Sequence, residues 1–240
     1  MRLDKYLVEC KLVNSRNKAQ DLISRGYVLV NGKIKLDLDY QIQQTDNINI
    51  VQHEQYVSRG AYKLIEAINK FKMNLKDKVV LDIGSSTGGF TQICLINGAK
   101  KIYAIDVGTD QMDSQLSSNK KIELHEQTNF KDVTSNLFKQ KVDLIVADLS
   151  FISITKILDK ISEIFSYSLE MVLLIKPQYE LGKDIIKAYK GVIKSQKLWE
   201  KAIDIVTKHA KSLKFKIKSI IPSPIKGSKG NTEFLMYLVK

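Results

Sequence analysis

Two charged residues stand at the ends of long apolar runs of this sequence. These runs are predicted to be buried strands, in which a charged side chain is unusual. Asp148 closes one run and Lys176 closes another. An ordinary surface position explains one such residue as well as chemistry does, whereas two of them on neighbouring strands favour a reaction site. A lysine can accept the proton of a hydroxyl group when desolvation or a second cation lowers its pKa. Lys63 and Glu233 are the candidates that would complete such a site.

A glycine turn follows the predicted strand Val79–Ile83 and leads into a helix that opens at Gly88. Glycine lets the backbone approach a ligand closely, and Asp106, about twenty residues after Gly84, is placed to accept hydrogen bonds from both hydroxyls of a ribose. The strand, the turn and the acidic residue together predict an adenosine cofactor. The candidate cofactor-binding residues are Asp82, Gly84, Ser85, Ser86, Thr87, Gly88, Gly89, Phe90 and Asp106.

The spacing of this turn and its acidic residue indicate which cofactor to expect. A dinucleotide fingerprint has the pattern G-x-G-x-x-G and faces a pyrophosphate with a helix N-terminus. Here Ser85-Ser86-Thr87 separate the two glycines, and the carboxylate of Asp82 would repel a pyrophosphate. The same carboxylate suits the ammonium group of a methionine moiety. We therefore predict S-adenosylmethionine, with a purely structural turn as the alternative.

Composition indicates an anionic partner and disfavours several classes of protein. The net charge is +12, and the excess of Lys and Arg is concentrated in residues 1–35 and 183–240. No apolar run approaches the ~20 residues of a membrane span, and the N-terminus lacks the pattern of a secretion signal. Cys10 and Cys94 have no second Cys or His at metal spacing, which favours reduced thiols and no metal site. We therefore expect a cytoplasmic protein with no membrane partner and no obligate protein partner.

The N-terminal part of the chain is predicted to form a small α/β module. Its first helix runs from about Leu3 to Glu9, and its second follows the N-cap Ser15 and stops at Gly26. Asn31-Gly32 predicts a two-residue β-hairpin, and Ile48–Val51 supplies a later strand. Because the second helix has one apolar face, its basic residues are expected to project into solvent.

Polar residues without periodicity at 52–57 predict a linker between the module at residues 1–51 and a larger domain at 58–240. In the larger domain, apolar runs alternate with helical segments, which is typical of a doubly wound α/β fold. The predicted parallel strands are Val79–Ile83, Lys101–Asp106, Val142–Asp148 and Met171–Lys176. Lys214–Ile221 and Glu233–Val239 are predicted to form an antiparallel pair at the edge of this sheet.

Five short motifs occur in a fixed order along the chain. They are Tyr56–Leu64, Asp82–Phe90, Ala147–Ser153, Ile175–Glu180 and Gly230–Phe234. Together they resemble the TlyA (haemolysin A) family. The resemblance implies a Rossmann-like class I S-adenosylmethionine-dependent methyltransferase domain of the FtsJ-like type, preceded by an S4 domain. Ala61 departs from the pattern, because relatives usually have a second glycine there.

The resemblance also implies a catalytic set and a reaction. Carried onto this sequence, the set is Lys63, Asp148, Lys176 and Glu233. Lys176 would take or polarise the proton of a ribose 2′-hydroxyl, and Asp148 would orient Lys176 and the ribose. Lys63 and Glu233 would complete the charge network and position the hydroxyl. The implied substrate is a cytidine in large-subunit ribosomal RNA, with the small subunit as a further target in some members.

The N-terminal module resembles the S4 RNA-binding domain. The basic residues that this resemblance places against RNA phosphates are Arg2, Lys5, Arg16, Lys18 and Arg25. A solvated helical face is the alternative for any one of them. Further along, the residues Lys187, Lys190, Lys194, Lys197 and Lys201 recur every three or four positions. If this segment is helical they share roughly one face, which either contacts RNA or faces solvent.

Two other functions fit parts of this pattern. A non-catalytic, ribosome-associated RNA-binding factor would keep the fold without chemistry, but the complete catalytic set argues against it. A membrane-active haemolysin, which the family name suggests, is disfavoured by the lack of apolar spans. The favoured prediction is an enzyme that uses S-adenosylmethionine and acts on ribosomal RNA or ribosomal subunits.

Overall fold

The structure is a computed structural model that describes residues 1–24, 27–43, 45–50, 56–227 and 229–240. The predictions made for Arg25, Gly26 and most of the linker lie outside these residues. The chain divides into two compact units, Met1–Gln55 and Tyr56–Lys240. Among the described residues, no helix has both the length and the apolar character that crossing a membrane requires.

The N-terminal unit contains two helices and a small antiparallel sheet. Its elements are α1 (Leu3–Glu9), α2 (Arg16–Ser24), β1 (Val28–Val30), β2 (Lys33–Ile34) and β3 (Ile48–Ile50), with sheet order β2-β1-β3. Ser15 caps α2 as predicted, because its hydroxyl accepts a hydrogen bond from the N–H of Lys18 at 3.3 Å. Asn31 and Gly32 have φ values of +53° and +76°, which confirms the predicted two-residue turn of the hairpin.

A buried carboxylate joins the two helices of this unit. Asp4 is completely buried, and its oxygens accept hydrogen bonds from Arg2 Nε at 3.1 Å and from Arg16 Nε and Gln20 Nε2 at 2.9 Å. Burial raises the pKa of Asp4, but the hydrogen bonds from the three donors together lower it by more. The pKa of Asp4 is therefore well below the ordinary value. Arg2 and Arg16 were predicted to contact RNA, and both are also structural partners of Asp4.

The C-terminal unit is a seven-stranded sheet covered by helices on both faces. Its helices are α3 (Gly60–Phe71), α4 (Gly89–Ile96), α5 (Ser114–Ser117), α6 (Ile154–Ile164), α7 (Pro177–Glu180), α8 (Lys183–Ala188) and α9 (Gln196–Ser212), and two short 3₁₀ turns span Phe130–Asp132 and Ser135–Leu137. Its strands are β4 (Val79–Ile83), β5 (Lys101–Ile105), β6 (Ile122–His125), β7 (Leu144–Ala147), β8 (Glu170–Ile175), β9 (Lys216–Pro222) and β10 (Phe234–Val239).

The strand order of this sheet is β6-β5-β4-β7-β8-β10-β9. The first five strands in that order are parallel, and β10 pairs antiparallel with both β8 and β9. The predicted doubly wound sheet and its antiparallel edge pair are therefore confirmed. One hydrophobic core lies on each face of the sheet, centred on residues such as Tyr103 and Leu158 on one face and Leu64 and Ile102 on the other.

Two features of this unit differ from the sequence predictions. The edge strand β6 was not predicted, because its residues Ile122-Glu123-Leu124-His125 mix polar and apolar side chains and are mostly half-buried. The condition set for the recurring lysines, that one helix carries them all, is not met, because α8 and α9 are separate helices. The chain turns between them, where Lys190 and Gly191 have φ values of +50° and +81°.

Candidate active site

Four charged side chains meet at the edge of the sheet where the parallel strands end. Asp148 directly follows β7, and Lys176 directly follows β8. Glu233 directly precedes β10, which runs antiparallel to β8 and so begins at the same edge. Lys63 comes from the first turn of α3. The topology therefore brings together four residues that are widely separated in the sequence.

These four residues form one continuous network with Asp148 between two lysines. Nζ of Lys63 donates a hydrogen bond to Oδ2 of Asp148 at 2.8 Å and lies 2.8 Å from Oε2 of Glu233. Nζ of Lys176 lies 2.7 Å from Oδ1 of Asp148 and donates a hydrogen bond to Oγ of Ser150 at 3.0 Å. Lys63, Lys176 and Glu233 are buried, while the side chain of Asp148 keeps 20% of its surface exposed.

Charge pairing outweighs burial for two members of the network. Burial lowers the pKa of Lys63, but its attraction to Asp148 and Glu233 raises the pKa above the ordinary value. Burial likewise raises the pKa of Asp148, but Lys63 and Lys176 lower it by more. A carboxylate lies between the two lysines, so the attraction of Lys63 to its carboxylate partners determines the direction of its pKa shift.

The glycines of the turn between β4 and α4 have no room for a side chain. Gly84 has a φ of +82°, and a Cβ at Gly89 would lie only 2.1 Å from the hydroxyl oxygen of Ser58. The hydroxyl of Ser85 is buried and has no hydrogen-bond partner among the described residues. The turn therefore offers a bare backbone and one unsatisfied hydroxyl to a ligand.

The two acidic residues predicted to bind the cofactor are already bonded within the protein. Asp106 accepts hydrogen bonds from the N–H groups of Ser86 at 2.8 Å and Gly108 at 2.7 Å. Asp82 is completely buried, and its Oδ2 accepts a hydrogen bond from the hydroxyl of Thr91 at 2.6 Å. Burial raises the pKa of Asp82 to about 7, although the bond from Thr91 lowers it in part. Asp106 therefore shapes the turn, while Asp82 ties β4 to α4 and keeps its buried Oδ1 without a partner among the described residues. The contacts of Asp106 with a ribose and of Asp82 with an ammonium group stay predictions.

Two cavities lie beside this turn. The larger has a volume of about 1110 Å³ and is lined by all four members of the charged network. The smaller has a volume of about 790 Å³ and is lined by Asp106. Gly84, Ser86 and Asp148 line both cavities, and Ser85, Thr87, Gly89 and Phe90 line the larger one. Gly88 and Asp82 are not part of either lining.

The mouth of the larger cavity is basic. Four exposed lysines line it: Lys187 and Lys190 at and after α8, and Lys226 and Lys229 in the loop between β9 and β10. None of the four has an ion pair with another residue that the structure describes. We call these four residues the lysine rim. Sequence reasoning named Lys187 and Lys190 as basic residues that either contact RNA or face solvent, but missed Lys226 and Lys229 because nothing local indicates that their loop borders a cavity.

One buried side chain holds the two segments of the lysine rim together. Asn231 is 2% exposed, and its Oδ1 accepts a hydrogen bond from the N–H of Ile193 at 2.8 Å. Its Nδ2 donates a hydrogen bond to the carbonyl of Gly191 at 2.9 Å. The loop that carries Lys229 is therefore tied to the connection between α8 and α9.

The smaller cavity has a wall that sequence reasoning also missed. It includes Thr128, Asn129, Phe130 and Lys131, which follow the unpredicted strand β6. Because the carboxyl ends of parallel strands share one edge, recognising β6 would have placed these residues beside Asp106.

These features define a class of protein. The sheet is doubly wound with an antiparallel β10, and its edge carries a glycine turn after β4, an acidic residue after β5 and the charged network. This combination is typical of class I S-adenosylmethionine-dependent methyltransferases. A magnesium protoporphyrin IX methyltransferase from Synechocystis shares this fold at a TM-score of 0.53 and 12% identity, over 76% of this chain and 82% of that chain.

Comparisons with known proteins identify the family. An S4 domain model matches residues 1–48, and an FtsJ-like methyltransferase model matches residues 56–240. The chain is 40% identical, over the full length of both proteins, to the 23S rRNA (cytidine-2′-O)-methyltransferase TlyA of Campylobacter jejuni. The chain is also similar to a solved structure from Streptococcus thermophilus that is described as a hemolysin. The two are 34% identical with a TM-score of 0.80, and the match covers 100% of this chain and 88% of the solved one. The chain belongs to the TlyA (haemolysin A) family of FtsJ-like methyltransferases.

Proposed function

We propose that this protein transfers a methyl group from S-adenosylmethionine to the 2′-hydroxyl of a cytidine ribose in ribosomal RNA. The observation that carries the proposal is the network of Lys63, Asp148, Lys176 and Glu233 on a cavity that also exposes the glycine turn. A cofactor site and a proton-handling site are thereby within reach of one bound hydroxyl group.

The residues around the turn fit the proposed cofactor. The bare backbone at Gly84 and Gly89 permits close approach, and the unsatisfied hydroxyl of Ser85 offers a hydrogen bond. Asp106, on the smaller cavity, would take the ribose hydroxyls of the cofactor. When bound, S-adenosylmethionine supplies a methyl group that is electrophilic because it is attached to a sulfonium.

Lys176 is the residue that we propose to take or polarise the proton of the 2′-hydroxyl. Its Nζ is held by Asp148 and Ser150 at the wall of the larger cavity. Lys63 stays charged between Asp148 and Glu233, which keeps Asp148 ionised and fixed in place. General base assistance of this kind contributes ~10²–10⁴ in rate, and alignment of the hydroxyl contributes the remainder.

The lysine rim supports a polyanionic substrate. Four ammonium groups that have no carboxylate partner among the described residues line the exposed part of the larger cavity, where the phosphates next to a bound nucleotide would lie. The S4 domain match supports RNA as that polyanion. Lys5 and Lys18, with Arg2, Arg16 and Arg25, stay the proposed RNA contacts of the N-terminal unit.

The names of the relatives support the choice of target. The Campylobacter relative is named for a cytidine of 23S rRNA, so we propose the large ribosomal subunit as the substrate and the cytoplasm as the place of action. A relative from Brachyspira hyodysenteriae, 41% identical over the full length of both proteins, is named Hemolysin A. Membrane lysis would assign no role to the buried charged network, whereas methyl transfer to a hydroxyl group requires residues that handle a proton.

Mapping of 2′-O-methyl groups tests the proposal. Ribosomal subunits from cells that lack the gene would be incubated with S-adenosylmethionine and either the natural protein or its Lys176→Ala variant. We expect one new 2′-O-methylcytidine in large-subunit RNA with the natural protein, and none with the variant. The variant should still bind the subunits, which filter binding measures. Absence of a new methyl group with the natural protein, or its presence with the variant, would contradict the proposal.

A further inference from the structure

We propose that Glu180 is a positioning residue for methyl transfer, because it fastens the loop that carries Asp148 to the segment that carries Lys176. The inference rests on the proposed function, since it concerns the alignment of that reaction centre. Glu180 lines neither of the two cavities. It therefore acts through other residues and does not touch the substrate or the cofactor.

The loop between β7 and α6 needs an external support. It spans residues 148–153, and its Phe151 has a φ of +65° with 87% of its surface exposed. A bulky residue in this backbone conformation costs on the order of 1–3 kcal/mol and persists only when neighbouring contacts hold it. The loop also carries Ser150, which accepts the hydrogen bond from Lys176. Movement of this loop would therefore displace two of the groups that bind Lys176.

Glu180 supplies the support from the other segment. It ends α7, the helix that starts directly after Lys176. Its Oε1 accepts a hydrogen bond from the N–H of Ile154 at 2.9 Å, and its Oε2 accepts one from the hydroxyl of Ser153 at 2.5 Å. Ser153 is itself the N-cap of α6, so the carboxylate lies at a helix N-terminus that favours negative charge.

The two segments are consequently joined at both ends. Lys176 contacts Asp148 and Ser150 at one end, and Glu180 contacts Ser153 and Ile154 at the other. Burial raises the pKa of Glu180, while the bonds from Ser153 and Ile154 lower it in part. A carboxylate in this place is stabilised by those two donors. Loss of the second attachment would let Asp148 and Lys176 drift apart, and a displacement of ~1 Å can cost ~10²-fold in rate.

The test compares Glu180→Ala with Glu180→Gln. The amide of Gln can accept from Ile154 and donate to Ser153, so it keeps both attachments, whereas Ala removes both. We expect a 10- to 100-fold fall in kcat for Glu180→Ala, on the scale that misalignment produces, with KM for RNA and the affinity for S-adenosylmethionine unchanged. Glu180→Gln should restore kcat to within about threefold of the natural protein. Glu163→Ala removes an exposed carboxylate from α6 and serves as the matched control.

The outcomes separate this inference from the proposed function. If the natural protein methylates no ribose, the proposed function fails. If the natural protein is active, unchanged kcat in Glu180→Ala overturns the inference, as does a loss of kcat that Glu180→Gln does not restore. A rise in KM for RNA with normal kcat also overturns it, because Glu180 would then act in RNA binding. Melting temperatures of all three variants exclude unfolding as the cause of a lower kcat.

Discussion

The two units of this protein contain the same charge pattern in different surroundings. In the N-terminal unit, Asp4 lies between Arg2 and Arg16, and in the C-terminal unit, Asp148 lies between Lys63 and Lys176. Each carboxylate has a pKa below its ordinary value because its bonding partners outweigh its burial, and for Asp4 these partners include the neutral Gln20. Nevertheless, one arrangement joins two helices and the other lines a cavity of about 1110 Å³.

The difference lies in the type of cation and in access to a ligand. Arginine keeps its proton at any pH a protein meets, so the cluster around Asp4 can only hold charge in place. Lysine can give up its proton, and the side chain of Asp148 remains 20% exposed, whereas that of Asp4 is fully buried. These two properties make the cluster around Asp4 purely structural, and they are what the proposed reaction requires of the cluster around Asp148.

Replacing the lysine by arginine should produce the largest effect. Lys176→Arg keeps the positive charge beside Asp148 but cannot take a proton, so we expect kcat to fall by ~10²-fold or more. Lys63→Arg should lose less, because we assign Lys63 only a fixed charge. Steady-state methylation of isolated ribosomal subunits measures both variants. Equal activity of Lys176→Arg and the natural protein would remove the distinction between the two clusters.

Removing the structural carboxylate should affect stability and leave the methyltransferase site unchanged. Asp4→Ala leaves Arg2 and Arg16 without their buried partner, and we expect a loss of about 2 kcal/mol in local stability. A fully buried pair would cost ~3–5 kcal/mol, but both arginines are partly exposed to solvent. Hydrogen exchange at the amides of α1 and α2 measures this loss. Unchanged exchange in these helices, or a change in affinity for S-adenosylmethionine, would contradict the assignment.

Asp82, another buried carboxylate, should make stability depend on pH in the direction opposite to Asp4, with a smaller effect. The pKa of Asp82 is raised to about 7, so the folded protein binds this proton more tightly than the unfolded chain does. Stability from this group is present at low pH and is lost as pH rises, by about 1 kcal/mol between pH 6 and 8. Asp4, whose pKa is lowered, contributes stability that is lost as pH falls. Thermal melting of Asp82→Asn should lack the loss seen between pH 6 and 8, and an identical loss would contradict the shift.

Much of the architecture was predictable because it depends on local patterns. The apolar runs that became β4, β5, β7 and β8 have the length and content of buried parallel strands. Asn31-Gly32 and the Ser15 cap depend on the conformation of one or two residues, and both were predicted correctly. The four members of the charged network could be named because each stands next to an element end or within a motif.

The remaining features depend on contacts that no local pattern encodes. The half-polar strand β6 is stabilised by its pairing with β5, and the break between α8 and α9 accompanies the hydrogen bonds that Asn231 makes across the fold. The bond of Asp106 to the N–H of Ser86, and the bond of Glu180 to the first residue of α6, join segments far apart in the sequence. Sequence reasoning therefore named the four side chains that form the charged network but missed the long-range bonds around them.

The position of β10 has a consequence for the time at which the protein becomes active. β10 lies between β8 and β9 although it follows both in the sequence. Glu233 joins Lys63 only after β10 has paired with β8, so the network combines the first helix of this unit with its last strand. A growing polypeptide that still lacks β10 has an open edge at β8 and an incomplete set of charges. Within this sequence the S4 unit precedes the methyltransferase unit, so its residues are all synthesised while the charged network is still incomplete.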